Sequence, residues 1–419
     1  MVLKNLAIVS NRYLEEDLRG SEEFLKQLVK LLGNKYQISV LTSDVIDHQP
    51  LNSPLAKRTR HSVLEINANY KVYRFKSHPL FSASTYVADK LLYAITKGNA
   101  YSLKSELDKF QVFGWGPYTP AIFHHIINSN YDIVHGSTFP SAPSYIAFKA
   151  SFKKRIPYIY APYLHYNLPW ISNNFVLKTI VEKSTALIAR TKSEKKYLVK
   201  LGGNAKSIFV IPSLYDLEDY LYSEVDRNSA KKDLGLEGNF VILTNPHPLK
   251  GGNVTLEAAG RLSQIYSNVA LVSIGNPNKS FIRKAQNILK YYPNLKIKNF
   301  GWVDHLTKRK LHAAAEVFCM PSITDSFGLS YLDSWANKTP VIGALKTPAV
   351  DLIDDSVDGF LVSHKDPGEL LSRLKDLYEN GSIVTTMGRL GREKVELKYN
   401  PNSIKNMYTE AFEYAISSV

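Results

Sequence analysis

Short apolar runs alternate with longer amphipathic stretches along the whole chain. Apolar runs of about 4–8 residues have the length of buried strands, and recurrence at i, i+3 and i+4 marks helices with one apolar face. In the first half the pattern predicts strands at Leu6–Ser10, Gln37–Thr42, Lys71–Phe75, Asp132–His135, Pro157–Ala161, Ala186–Ala189 and Ile208–Ile211. In the second half it predicts Asn239–Leu243, Ala270–Ile274, Leu295–Phe300, Val317–Met320, Pro340–Gly343 and Phe360–Val362. Helical patterns fill most of the gaps, for example Ser21–Leu32 and Ser193–Leu201. Strands alternating with helices argue for parallel sheets with crossover helices.

The expected class is therefore α/β, with two Rossmann-like, doubly wound domains facing each other across a cleft. Pro212–Glu224 carries Pro, Ser and several acids without a strand pattern and reads as the linker. Domains are expected at 1–213 and 214–398, with a final helix at 399–419 packing back on the first. Doubly wound sheets bind ligands at the carboxyl ends of their strands, so the cleft is the expected site. Residues 78–120 are the least regular part, with Phe81, Tyr86, Tyr93, Tyr101, Phe113 and Tyr118 among their aromatics. Packed aromatics are one reading. The other is a membrane-facing or acceptor-binding insertion, with Tyr86–Ile95 as an amphipathic helix.

A length of 419 residues suits two domains. Hydrophobic residues at 44% and charged residues at 21% fit a folded, water-soluble protein. No apolar run approaches the ~18 residues of a membrane span, and the opening MVLKNLAIVSNR reads as a buried strand rather than a signal peptide. Cys319 is the one cysteine, which excludes an internal disulfide and a cysteine metal cluster; a reducing, cytoplasmic setting is expected. The net charge of +14 is unevenly spread. Residues 1–213 hold 28 Lys+Arg against 14 Asp+Glu, whereas residues 214–419 hold 24 of each. The basic half predicts an anionic partner, such as a lipid surface or a polyprenyl-phosphate carrier. A solvated basic face without a dedicated partner is the plainer alternative. Nucleic acid is not expected, because no recognition module is present.

The densest chemical signal is PSITDSFGLSYLDSWANKTPVIG, residues 321–343. A strand ends at Met320, a loop holds Asp325, and a helix is expected to begin near Phe327. Its first backbone N–H groups, on Phe327, Gly328, Leu329 and Ser330, would lack partners and suit a phosphate or sugar hydroxyls. Asp333 lies about two turns further on. One carboxylate could bind sugar hydroxyls and the other ribose hydroxyls. The alternative is an N-cap aspartate followed by a solvated helical acid.

This segment resembles the signature of retaining glycosyltransferases of the two-Rossmann (GT-B) type, especially the family-4 group. That signature carries two glutamates separated by seven residues, and Asp325 and Asp333 keep the spacing. Pro321, Ser322, Phe327, Gly328, Ala336, Pro340, Val341 and Ile342 also match, whereas Lys338 replaces a usual glycine. After Asn239–Leu243, Lys250-Gly251 resembles the family's Lys-Gly turn, whose lysine neutralises the donor diphosphate; Asn245 stands where an arginine is usual. His247 is a candidate substitute for that charge. Phe300–Val303, Asp351–Ile353 and Asp358–Val362 match further segments in order.

In the first half the resemblance is fainter. Arg19-Gly20-Ser21-Glu22 corresponds to the acceptor-side glycine-rich loop, and Val210–Ser213 to the strand end before the linker. The family's reactive histidine aligns with Ser137, two residues after His135, and His165 at the end of the next strand is the preferred candidate.

The resemblance implies transfer from a nucleoside-diphosphate sugar to an acceptor hydroxyl, with retention and without metal or cofactor. A UDP- or GDP-sugar would be the donor and a glycan or lipid-linked glycan the acceptor, at the inner face of the cell membrane. Lys250, Asp325 and His165 would be catalytic; Asn245, Gly251, Phe327–Ser330 and Asp333 would bind the donor; Gly20, Ser21, His135 and Ser137 would lie on the acceptor side. A non-catalytic member that binds a sugar nucleotide or a partner transferase is the alternative, motivated by Asn245 and the two shortened carboxylates. No D-x-D or G-x-S-x-G occurs, and the acid pair in one loop and helix does not suit a glycoside hydrolase.

Overall fold

Two separate sheets order the chain in the computed structural model, which describes residues 3–14, 20–47, 55–60, 62–67, 70–78, 108, 109, 112, 113, 116–168, 171, 174–217 and 225–419. Phe81, Tyr86, Tyr93, Tyr101 and the helix expected at Tyr86–Ile95 lie outside the described residues, as do Arg19 and residues 218–224 of the expected linker. Contacts divide the chain into a first unit, Met1–Leu214 with Pro401–Val419, and a second, Tyr215–Asn400.

In the first unit the strands are β1 (Lys4–Val9), β2 (Tyr36–Ser43), β3 (Val63–Asn67), β4 (Tyr70–Phe75), β5 (Ile133–Ser137), β6 (Tyr158–Ala161), β7 (Ala186–Ala189) and β8 (Ile208–Val210). Their order is β3-β4-β2-β1-β5-β6-β7-β8, parallel except for β3 against β4. The chain steps one way from β1 and the other way from β5. Right-handed crossovers therefore place helices on opposite faces of the sheet. The helices Ala121–Asn128, Ala142–Lys154, Phe175–Lys183 and Lys192–Lys200 cover one face through Ile122, Phe148, Ile180 and Leu198. The helices Gly20–Leu32 and Pro401–Ser417 cover the other, through Leu28, Leu32, Tyr408 and Phe412.

The second unit contains β9 (Phe240–Thr244), β10 (Val269–Ser273), β11 (Lys296–Asn299), β12 (Val317–Cys319), β13 (Val341–Ala344) and β14 (Gly359–Val362). They pair in parallel in the order β11-β10-β9-β12-β13-β14. Strands β9, β10, β12 and β13 are buried at every residue, as expected of strands covered on both faces. Trp335 anchors this core: it is fully buried and donates its indole N–H to the Asp358 carbonyl at 2.9 Å.

The structure shows the expected α/β class and both Rossmann-like sheets. The strand β3 was not predicted. Its sequence, Val-Leu-Glu-Ile-Asn, is interrupted by Glu65 and carries no continuous apolar run, and it forms the antiparallel edge of the sheet.

Candidate functional site

A doubly wound sheet opens a crevice where its strand order reverses. In the second unit that point lies between β9 and β12, and the loops leaving those two strands carry Lys250 and Asp325. After β9, Asn245 Oδ1 accepts from the His247 N–H at 2.9 Å, and His247 Nδ1 accepts from the Leu249 N–H at 3.2 Å. His247 thus caps the short turn Pro248–Lys250. Gly251 follows at φ 84, and a Cβ there would lie 2.5 Å from the Pro321 carbonyl oxygen. Only glycine lets the two loops approach so closely. The Ile323 N–H donates to the Leu249 carbonyl at 2.8 Å and ties them together.

Held this way, Lys250 Nζ meets Asp325 Oδ2 at 2.8 Å. Asp325 Oδ1 accepts from the Ser326 N–H at 2.9 Å. The helix following β12 is Leu329–Ala336, so it starts two residues later than Phe327. The displacement has a local cause: Gly328 takes φ 110, outside the helical region, and forms the N-cap. Phe327 is buried, with its ring 5.9 Å from that of Tyr399. It is a core side chain.

Of the other helices of this unit, four begin at Asp226, Asn278, Asp304 and Asp366, whose side chains accept from their first turns, and Gly381–Lys398 begins at Asn380 without a side-chain cap. The helices at the switch point, Gly252–Ile265 and Leu329–Ala336, begin at Gly251 and Gly328 without a capping side chain. Among the described residues no hydrogen bond satisfies the N–H of Leu329 or Ser330. Unsatisfied N–H groups at a helix start, with a lysine held by Asp325 on the loop leading into it, suit an anion.

Asp333 is only 8% exposed. Its Oδ1 accepts from the Tyr215 hydroxyl at 2.8 Å and faces Lys308 Nζ at 3.0 Å. Burial alone would raise its pKa, but the Lys308 charge, the neighbouring His312 and the Tyr215 hydrogen bond outweigh it, and the carboxyl is held below its ordinary value. The reading of Asp333 as a solvated acid is therefore overturned. Lys308 and Tyr215 were missed by sequence reasoning, since no local spacing relates them to residue 333. Beneath them His312 is buried, bonded to Ser334 Oγ at 2.8 Å, and its pKa is pushed down to about 4 by burial.

The first unit reverses strand order between β1 and β5. A pocket of about 170 Å³ lies there, lined by Ser10, Arg12, Glu22, His135, Ser137 and Tyr163, among others. Gly20 and Ser21 are the first residues of the helix Gly20–Leu32, directly before Glu22, which pairs with Arg12 at 3.4 Å. His135 contributes little accessible surface, being 1% exposed. Its ring lies 5.6 Å from that of Phe412 and 6.0 Å from that of Tyr408. Burial, reinforced by the Arg190 charge, pushes its pKa down to about 3. Ser137 Oγ donates to the Val9 carbonyl at 3.2 Å, so this group too is committed to the scaffold. His165 lies four residues past β6 and does not line the pocket; its carbonyl accepts from the Leu168 N–H at 3.0 Å.

Two Rossmann-like sheets, each with polar side chains gathered where its strand order reverses, define the GT-B architecture. Anabaena Alr3699/HepE, solved with UDP and glucose, shares it at a TM-score of 0.68 and 17% identity, over 98% of this chain and 99% of that one. Sucrose-phosphate synthase from Thermosynechococcus elongatus does so at 0.70 and 16%, over 99% and 100%. Residues 238–380 match the family described as Glycosyl transferases group 1, and residues 102–219 match Glycosyltransferase Family 4. The chain belongs to the group 1 glycosyltransferases of the family-4 type. Curated relatives include D-inositol 3-phosphate glycosyltransferases. The one from Geodermatophilus obscurus is 25% identical over 56% of this chain and 54% of its own length. That from Nocardioides sp. is 26% identical over 49% and 48%. The chain thus spans about half the length of the curated relatives it matches.

Proposed function

We propose that the protein transfers a sugar, with retention, from a nucleoside-diphosphate sugar to an acceptor hydroxyl. The observation that carries this reading is the Lys250–Asp325 contact of 2.8 Å on the loop that leads into the uncapped start of Leu329–Ala336. A departing diphosphate needs positive charge where negative charge develops. Lys250 and the N–H groups of Leu329 and Ser330 would supply it without a metal ion. Asp325 would exchange part of its contact with Lys250 for hydroxyls of the donor sugar. Asp333 would accept from the ribose; Tyr215 and Lys308 both address Oδ1, which leaves Oδ2 for the ligand.

On the first unit, the pocket lined by Glu22, His135 and Ser137 would receive the acceptor; Gly20 and Ser21 lie directly before Glu22, and His165, outside that pocket, is the proposed catalytic histidine. A lipid-linked glycan fits the basic charge of residues 1–213. A phosphorylated polyol fits the names of the curated relatives.

The test is thermal stabilisation by UDP-, GDP- and ADP-sugars in the presence of EDTA. A ligand at ~100 times its dissociation constant adds about 2.7 kcal/mol to folding stability. One nucleotide class should raise Tm, and Lys250→Ala should abolish the rise. Donor-dependent product on one of the two acceptor types then identifies the acceptor. Asn245 in place of the usual arginine favours the second reading, a non-catalytic sugar-nucleotide binder. Nucleotide stabilisation without product on any acceptor supports it; no stabilisation by any nucleotide sugar overturns both.

A further inference from the structure

The basic excess of the first half has a definite place in the fold. Residues 149–206 contain 12 Lys+Arg and two acids, Glu182 and Glu194. Glu194 is fully buried and accepts from the N–H groups of Leu164 at 2.8 Å and Arg190 at 2.6 Å. Glu182 is paired with Lys178 at 3.6 Å. The cations lie mainly on the helices Ala142–Lys154, Phe175–Lys183 and Lys192–Lys200, which cover one face of the eight-stranded sheet. Lys149, Lys153, Arg155, Lys183, Lys192 and Lys196 are all exposed.

Phe152 stands among these charges with 62% of its surface in water. Lys183 Nζ lies 5.4 Å from its ring centre, and Lys153 Nζ lies 5.6 Å from the ring centre of Phe123 on the neighbouring helix. Phe148 backs Phe152 from the core side, with ring centres 6.2 Å apart. A solvated basic surface has no need of an exposed phenyl ring at its centre. Lysines whose stems run along aromatic rings can keep their ammonium groups at a charged interface while the ring enters an apolar layer.

We propose that this face, centred on Phe152, docks the protein onto an anionic lipid bilayer. The inference rests on charge and apolar exposure in the first unit and is independent of the proposed sugar transfer. Phe152 enters below the headgroups, and Lys149, Lys153 and Lys183 meet the lipid phosphates. Each lysine at an anionic surface contributes about fivefold in partitioning, so three contribute about a hundredfold. The electrostatic part weakens with salt.

The full chain is sedimented with vesicles of phosphatidylcholine alone and of equal parts phosphatidylcholine and phosphatidylglycerol, and mixed separately with poly(U) RNA. Binding is expected to the anionic vesicles and to decline with added salt. The triple variant Lys149→Gln, Lys153→Gln, Lys183→Gln should lose about a hundredfold, and Phe152→Ser about tenfold. A control of equal charge, Lys279→Gln, Arg283→Gln, Lys290→Gln on the second unit, should bind as the parent does. All four positions on the docking face are exposed, and an unchanged Tm confirms folding. Equal binding by the triple variant, equal binding to neutral vesicles, or binding to poly(U) but not to vesicles overturns the proposal.

Discussion

Replacing Lys308 by methionine keeps the side chain's length and removes the charge 3.0 Å from Asp333. Asp333 then keeps the Tyr215 hydroxyl at 2.8 Å. Stripping one partner from a fully buried ion pair costs about 3–5 kcal/mol, whereas an exposed pair is worth about 0–1 kcal/mol. The Lys308 side chain is 27% exposed and that of Asp333 12%, so the expected loss lies between these limits, about 2 kcal/mol at neutral pH. The loss should also depend on pH. Asp333 is held below its ordinary 3.8 in the folded protein, so its stabilisation is present above that value and is lost as pH falls through the folded value. Without Lys308 the folded value rises, although His312 and the Tyr215 hydroxyl still favour the carboxylate, so the variant's disadvantage shrinks as acid protonates the carboxyl. Urea unfolding of parent and variant at several pH values measures this directly. A difference that stays constant from neutral pH to about pH 3 would refute the electrostatic reasoning and assign the loss to packing. If the donor reading holds, the same variant raises the KM for the donor more than it lowers kcat, because a misplaced ribose contact acts on binding.

Two further outcomes follow from the geometry. Gly251→Ala forces a Cβ to within 2.5 Å of the Pro321 carbonyl oxygen at φ 84, and should cost more than about 2 kcal/mol in chemical denaturation while weakening nucleotide-sugar binding. His135→Leu removes a group that titrates near 6.5 when unfolded and near 3 when folded. The histidine stays neutral in the folded state, so the parent loses stability as pH falls below about 6.5; at pH 5 the loss relative to the leucine variant should be about 2 kcal/mol, read as the pH dependence of the difference in unfolding free energy.

The buried strands were legible because strands covered on both faces are largely apolar, as Phe240–Thr244 and Val341–Ala344, buried at every position, are. The edge strand Val63–Asn67 was not, for it needs no such run. The turn at Lys250-Gly251 and the loop at Asp325 were legible as motifs in order along the chain. Their contact follows from the switch point between β9 and β12. The start of Leu329–Ala336 was misplaced because the conformation of Gly328 depends on its surroundings. The environment of Asp333 was hidden for a different reason. Tyr215 and Lys308 reach it from 118 and 25 positions away, a relation that only folding creates.

The helix Pro401–Ser417 belongs to the first unit although the whole of the second precedes it in the chain. Its Tyr408 and Phe412 pack against His135 and close the core beneath Leu28 and Leu32. Domains that emerge first from the ribosome ordinarily fold first. Here that order is reversed at completion. The second unit, continuous from Tyr215 to Asn400, has all its residues in hand while the first still lacks a core helix. Until that helix is present one face of the eight-stranded sheet is covered only in part, by Gly20–Leu32, and a chain truncated after residue 400 should present a protease-resistant C-terminal half and a labile N-terminal one.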